Sequence, residues 1–237
     1  MAEALPGLWS WNWSRKMNKN IVYFTLTELL VTVTLICLTA GILLPALATG
    51  ISRAKLTGCG NNLRAVGQCV IFYCADNSGF IPNIAPGMET SSIPILRMPN
   101  NMVLALGRLM NVYLQDARIF GCPDSPGYTG EDVANYWHDQ TMAWTAYLYR
   151  SQNNEFSSLL NAPENISKPY IMDFACITNQ GEQFAPHNYL ASNLLFADCH
   201  LEIRRNSREP FKHYTAQASR HGEITPDCTR LWQNADE

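Results

Sequence analysis

Asp173, His187, Asp198 and His200 are the residues of this 237-residue chain best suited to metal chemistry. Carboxylate and imidazole are compatible ligands for one divalent ion, but the intervals between the four impose no common geometry. Two readings therefore stand. In one they converge on a metal; in the other Asp198 makes a turn, Asp173 ends a strand and both histidines face solvent. Nucleophilic chemistry has less support, because the sequence carries no G-x-S-x-G, no H-E-x-x-H and no Gly-rich phosphate loop. Sulfur chemistry has more. There are eight cysteines, and an oxidising compartment favours their pairing. Either Cys59 or Cys74 joined to Cys122 would tie an N-terminal helix to the rest of the chain, and the sequence alone does not choose between them.

One more carboxylate stands apart. Glu28 opens a run of 24 residues, Leu29 to Ser52, that carries no charge. About 20 apolar residues at a rise of about 1.5 Å span the hydrocarbon core of a bilayer, so this run can cross a membrane once as a helix. Its threonines, Thr32, Thr34, Thr39 and Thr49, are compatible with that because a hydroxyl bonds back to a carbonyl one turn earlier. Glu28 at the edge of lipid is costly to bury and points to function, unless it stays in the interface and helps start the helix. Arg15, Lys16 and Lys19 precede the run, and Arg53, Lys55 and Arg64 follow it, so charge does not decide the topology. The same basic residues, the apolar run and Ala46-Leu47-Ala48 also match a secretory signal peptide. On that alternative a secreted domain, a metal-dependent hydrolase, is released after Ala48.

Beyond the run, Leu56, Cys59, Leu63, Val66, Val70 and Tyr73 or Cys74 recur at steps of three and four, one face of a continuing helix. Asp76-Asn77-Ser78-Gly79 and Pro82 end it. The whole helix, from Thr25 to Ala75, would measure roughly 76 Å. Pro45 and the glycines at 41, 50, 58, 60 and 67 predict kinks or local melting.

Phe24-Thr25-Leu26-Thr27-Glu28-Leu29-Leu30-Val31 resembles the processing and methylation signal of type IV prepilins and type II secretion pseudopilins. Cys59-Gly60-Asn61-Asn62-Leu63-Arg64-Ala65-Val66-Gly67, Tyr73 and Asp76 to Pro82 are similar to a stretch of the pseudopilin-like proteins. So are Phe120 to Pro126 and the segment from His187 through Asn193-Leu194-Leu195-Phe196-Ala197-Asp198. The resemblance implies cleavage between Tyr23 and Phe24 by a prepilin peptidase, methylation of Phe24, and assembly through Glu28 and the helix proline Pro45. In such a fibre Glu28 pairs with the N-terminal amine of a neighbouring subunit, so that neither charge is buried alone. The chain departs from the pattern at Tyr23, where the family carries Gly. An aromatic ring opposes a peptidase pocket shaped for no side chain, which leaves a second alternative, an uncleaved membrane-anchored protein whose extracytoplasmic head binds polysaccharide or another ligand.

The expected fold is therefore α+β and pilin-like: a long N-terminal α-helix, transmembrane in its first half, packed on a small, mostly antiparallel β-sheet head. Residues 1–23 form the leader, with translation starting at Met17; 24–52 form the transmembrane and assembly helix, 53–79 its amphipathic continuation, and 80–237 a periplasmic head. Within the head the pattern predicts a short helix over Asn101 to Gln115, a buried strand over Pro169 to Phe174, and a hairpin turning through two residues, Asp198-Cys199. The aromatics between Tyr136 and Arg150 read as core, with a carbohydrate platform as the other use. The stretch from Arg204 to Arg220 reads as a basic, solvated tail. From Arg53 onward there are 14 basic and 18 acidic residues, and the whole chain has a net charge of −3, so no nucleic-acid partner follows. The expected role is a structural subunit of a type II secretion pseudopilus or type IV pilus-like fibre in the inner membrane. Its partners are the prepilin peptidase, other pilin or pseudopilin subunits and the membrane; no cofactor and no catalytic residue is implied.

Overall fold

The computed structural model describes residues 24–83, 92–125, 127–139, 142–150, 158–173, 176–177, 183–184, 187, 191–205 and 235. Tyr23, Met17 and the basic stretch beyond Arg205 lie outside them. The protein is α+β: one long helix, α1 (Leu26–Asp76, 51 residues), precedes a five-stranded antiparallel sheet. The chain divides into two compact units, 1–46 and 47–237.

In the first unit the helix starts where Thr25 and Glu28 satisfy each other. The Thr25 amide and hydroxyl both donate to Glu28 Oε2, at 2.8 and 2.7 Å, and the Glu28 amide donates to Thr25 Oγ1 at 3.2 Å. These are the reciprocal bonds of a capping box. Thr32, Thr34 and Thr39 donate to the carbonyls of Leu29, Val31 and Leu35 at 2.9, 2.9 and 3.0 Å, so their hydroxyls add no unpaired polar group to an apolar surface. Leucines, isoleucines and valines are exposed all round this segment. By length and composition α1 can cross a membrane. Pro45 lies within the helix, and no melted turn interrupts α1 at the glycines.

In the second unit the helix is buried on one side only. Cys59, Gly60, Leu63, Val66, Gly67, Cys69, Val70 and Cys74 are buried. The sheet runs in the order β1 (Ser92–Arg97), β2 (Ala143–Arg150), β3 (Pro169–Asp173), β6 (Ala191–Phe196), β7 (Leu201–Arg205), and a separate two-stranded ribbon pairs β4 (Cys176–Ile177) with β5 (Gln183–Phe184). Gly60 and Gly67, two helical turns apart, let the sheet approach. A Cβ on Gly60 would stand 2.7 Å from Leu201 Cδ2, and one on Gly67 2.7 Å from Leu195 Cδ2. These glycines, expected to weaken the helix, are the points at which it meets the strands. Leu63, Val66 and Val70 join Leu195, Ile171, Tyr149 and Tyr170 in one core. Tyr147 and Tyr149 are fully buried, and Trp137 and Trp144 pack against the same core.

Two local expectations are corrected. Residues 101–115 do not form an α-helix; only a 3-10 turn, Ala105–Leu109, is present. Asn101, Ala105 and Asn111 have φ of 61, 42 and 68°, which interrupts a helical ladder. The segment instead folds back on β1, with the Leu104 amide donating to the Leu96 carbonyl at 2.9 Å. The β6–β7 connection is a three-residue loop, not a two-residue turn. The Cys199 amide donates to the Phe196 carbonyl and the Phe196 amide to the His200 carbonyl, at 2.9 and 3.1 Å. Cys199 takes φ 64°, the left-handed position that follows a type I turn in such loops and usually belongs to glycine.

Candidate functional site

A buried polar arrangement forms in the second unit where the end of β3, the start of β6, the loop after Phe120 and α1 meet. Asp173, the last residue of β3, is 1% exposed. Its Oδ1 accepts from the Ser192 hydroxyl at 2.7 Å and the Asn193 amide at 2.6 Å. Its Oδ2 accepts from Asn193 Nδ2 at 2.6 Å and lies 3.1 Å from His187 Nε2. The antiparallel register that pairs Met172 with Leu194 brings Asp173 beside Asn193, so the sheet itself supplies most of this cradle.

His187 is 2% exposed and has φ 59°. Its amide donates to Asp124 Oδ2 at 2.9 Å. Its Nδ1 stands 3.5 Å from the same oxygen without the alignment of a hydrogen bond, so this ring nitrogen is buried with no aligned partner. Asp124 Oδ1 accepts from Lys55 Nζ on α1 at 2.8 Å. A chain of polar contacts thus runs from Lys55 on the helix through Asp124 and the imidazole to Asp173.

Sulfur completes the arrangement. Cys59 on α1 and Cys122 form a disulfide with 5.2 Å between their Cα atoms, and both are fully buried. Cys122 Sγ lies 3.7 Å from His187 Nε2. The loop carrying Cys122 and Asp124 is fixed from several sides. Asn62 Nδ2 and the Tyr147 hydroxyl both donate to the Gly121 carbonyl, at 3.1 and 3.0 Å, and the Cys122 amide donates to the Tyr128 carbonyl at 3.0 Å. Gly121 cannot be larger, since a Cβ there would fall 2.4 Å from the Gly130 amide nitrogen. The Thr129–Asp132 capping box then starts α2 (Gly130–His138).

Comparison with protein-family models, with curated proteins and with solved structures gives no match to this chain. The functional reading therefore rests on the residues themselves. The four candidate ligands separate into two pairs. Asp173 and His187 are buried together, whereas Asp198 and His200 pair on the exposed β6–β7 loop. The His200 backbone amide, donating at 3.0 Å, and then its ring hold the Asp198 carboxyl below its ordinary range. His187 is thus neither on the surface nor part of a four-residue cluster. Of the two helix cysteines considered, Cys59 is bonded to Cys122, and Cys74 is a buried free thiol whose pKa burial pushes up to about 11. Phe24 is exposed, Glu28 caps α1 and Pro45 lies within it. Lys55, Asp124, Ser192 and Asn193 were not singled out from the sequence. Asp124 follows Cys122-Pro123 in a loop, and its proximity to the cysteine was the one available signal.

A carboxylate with two donors on each oxygen is a positioning group rather than an accessible base. In the disulfide form the site joins the helix, the loop and the sheet.

Proposed function

We propose that this protein is a membrane-anchored structural subunit of the pilin-like kind, building a type II secretion pseudopilus or type IV pilus-like fibre through its N-terminal helix. The observation that carries this reading is the two-part character of α1. Its first part exposes apolar side chains all round, and its second part buries one face against an antiparallel sheet. A subunit that leaves a bilayer for a fibre needs such a helix, because the apolar surface that contacts lipid must then contact neighbouring helices. The Phe24-Thr25-Leu26-Thr27-Glu28 stretch supports the same reading, with the prepilin peptidase, sister subunits and the membrane as partners and the head in the periplasm.

A second reading, an uncleaved anchor displaying the head, is favoured by Tyr23 and by the capping box that already occupies Glu28. Intact-mass analysis of the protein recovered from membranes, with and without Tyr23→Gly, separates the two. A mature chain beginning at N-methyl-Phe24 is the expected result for the fibre subunit. A chain that keeps its leader in both forms would overturn it in favour of the anchor.

A further inference from the structure

The geometry points to a second chemical state of the buried site. With Cys59 and Cys122 as thiols, their sulfurs and the His187 imidazole bind one divalent cation of the zinc class, and metal and disulfide compete for the same two sulfurs. The two sulfurs and an imidazole nitrogen lie within 4.8 Å of one another, and all three residues are buried. Two thiolates and an imidazole form a donor set suited to zinc or cobalt(II) rather than to calcium or magnesium.

The surroundings fit a bound metal as well as the ligands do. Nε2 is the ring nitrogen that faces Cys122, at 3.7 Å. Behind the ring, Nδ1 has no aligned partner, yet Asp124 Oδ2 is 3.5 Å away and already holds the His187 amide. A carboxylate behind the imidazole is the arrangement that orients metal-bound histidines. Asp173 Oδ2, 3.1 Å from Nε2, stands beside the imidazole and keeps the Asn193 Nδ2 donor. Buried anions require a compensating charge, and a divalent ion supplies it for the two thiolates. The two cysteines and the histidine are 0, 0 and 2% exposed, so no substrate reaches an ion they hold. The metal is structural, which separates this state from hydrolytic metal chemistry.

Metal binding takes one proton from each thiol, releases two protons to solvent and transfers no electrons. Disulfide formation removes two protons and two electrons, which pass to a disulfide-bearing oxidant; the return requires a dithiol or phosphine reductant. A newly made chain carries thiols, so the metal can enter before oxidation without any reductant.

The test uses the full chain in detergent, reduced with a phosphine under anaerobic conditions and titrated with cobalt(II), then zinc(II). Reduced wild type should bind one equivalent with thiolate-to-cobalt charge-transfer absorption, and the oxidised protein none. Zinc should slow formation of the Cys59–Cys122 bond, followed by peptide mass mapping. Cys59→Ser with Cys122→Ser should abolish the signal. His187→Gln, which keeps a donor toward Asp173 but removes the ligand, should weaken binding by at least the roughly 10- to 100-fold that loss of an outer-shell partner costs and leave the disulfide able to form. No charge-transfer band in reduced wild type, equal binding by the oxidised form or the double serine variant, or an unchanged affinity in His187→Gln would each overturn the proposal.

Discussion

Asp173 gathers several buried donors around one carboxylate, and its cost of removal is set by what it leaves behind. Ser192, the Asn193 amide, the Asn193 side chain and His187 all face its carboxylate. Asp173→Ala strands these buried donors, and breaking such a network costs about 3 kcal/mol. For a unit of this size that lowers Tm by roughly 6–12 °C, which calorimetry of the disulfide-bonded full chain in detergent would read. Asp198→Ala, on the exposed loop, should move Tm by far less, and an equal loss would show that the buried cradle is not what holds the sheet end. At this scale the sequence was only partly legible. Asp173 at a strand end and His187 upstream of the hairpin could be singled out, but their pairing depends on β3 lying beside β6 and on a backbone reversal at His187. Asp124 and Lys55 meet because the loop after Phe120 is pinned to α1 by the disulfide, a contact between residues 69 positions apart.

At the scale of elements, periodicity carried most of the information. The steps of three and four from Leu56 to Cys74 gave the buried face of α1, and the apolar runs at Pro169 and Asn193 gave β3 and β6. Illegible were the features where backbone geometry opposes local pattern. Asn101 to Gln115 has the apolar content of a helix, but its left-handed residues and its packing on β1 break it up. The glycines of α1 illustrate the same limit, since their type is visible and their neighbours are not. Gly67→Ala places a Cβ 2.7 Å from Leu195 Cδ2, 3.1 Å from Cys199 Sγ and 3.2 Å from Tyr170 Oη. Overpacking of this kind should destabilise by about 1–3 kcal/mol. Gly58→Ala meets only Pro123 Cγ at 3.7 Å, so the helical preference for alanine should prevail and stabilise by about 0.5–1 kcal/mol. Thermal melts of the two variants should therefore move in opposite directions. A gain of similar size in both would mean that these glycines matter for helix propensity rather than for approach to the sheet.

For the molecule as a whole, the two units differ in what solvent they need. Residues 26–46 expose apolar side chains and none of them is buried, while the buried positions of α1 begin at Cys59. A membrane or a set of neighbouring helices has to cover that apolar surface, while the described core residues of the second unit run from Cys59 onward. A chain consisting of residues 47–237 retains Lys55, Cys59, Gly60 and Gly67, hence the disulfide, the link to Asp124 and both close approaches to the sheet. It should stay in the supernatant after ultracentrifugation, form the Cys59–Cys122 bond, and melt within a few degrees of the full chain in detergent. The full chain should remain with membranes after alkaline carbonate washing, because an apolar helix long enough to span the hydrocarbon is held by its burial rather than by charge. If the shortened chain aggregated or lost the disulfide, the first unit would be contributing to the fold of the head. If the full chain were released by carbonate, its apolar surface would be covered by protein and not by lipid.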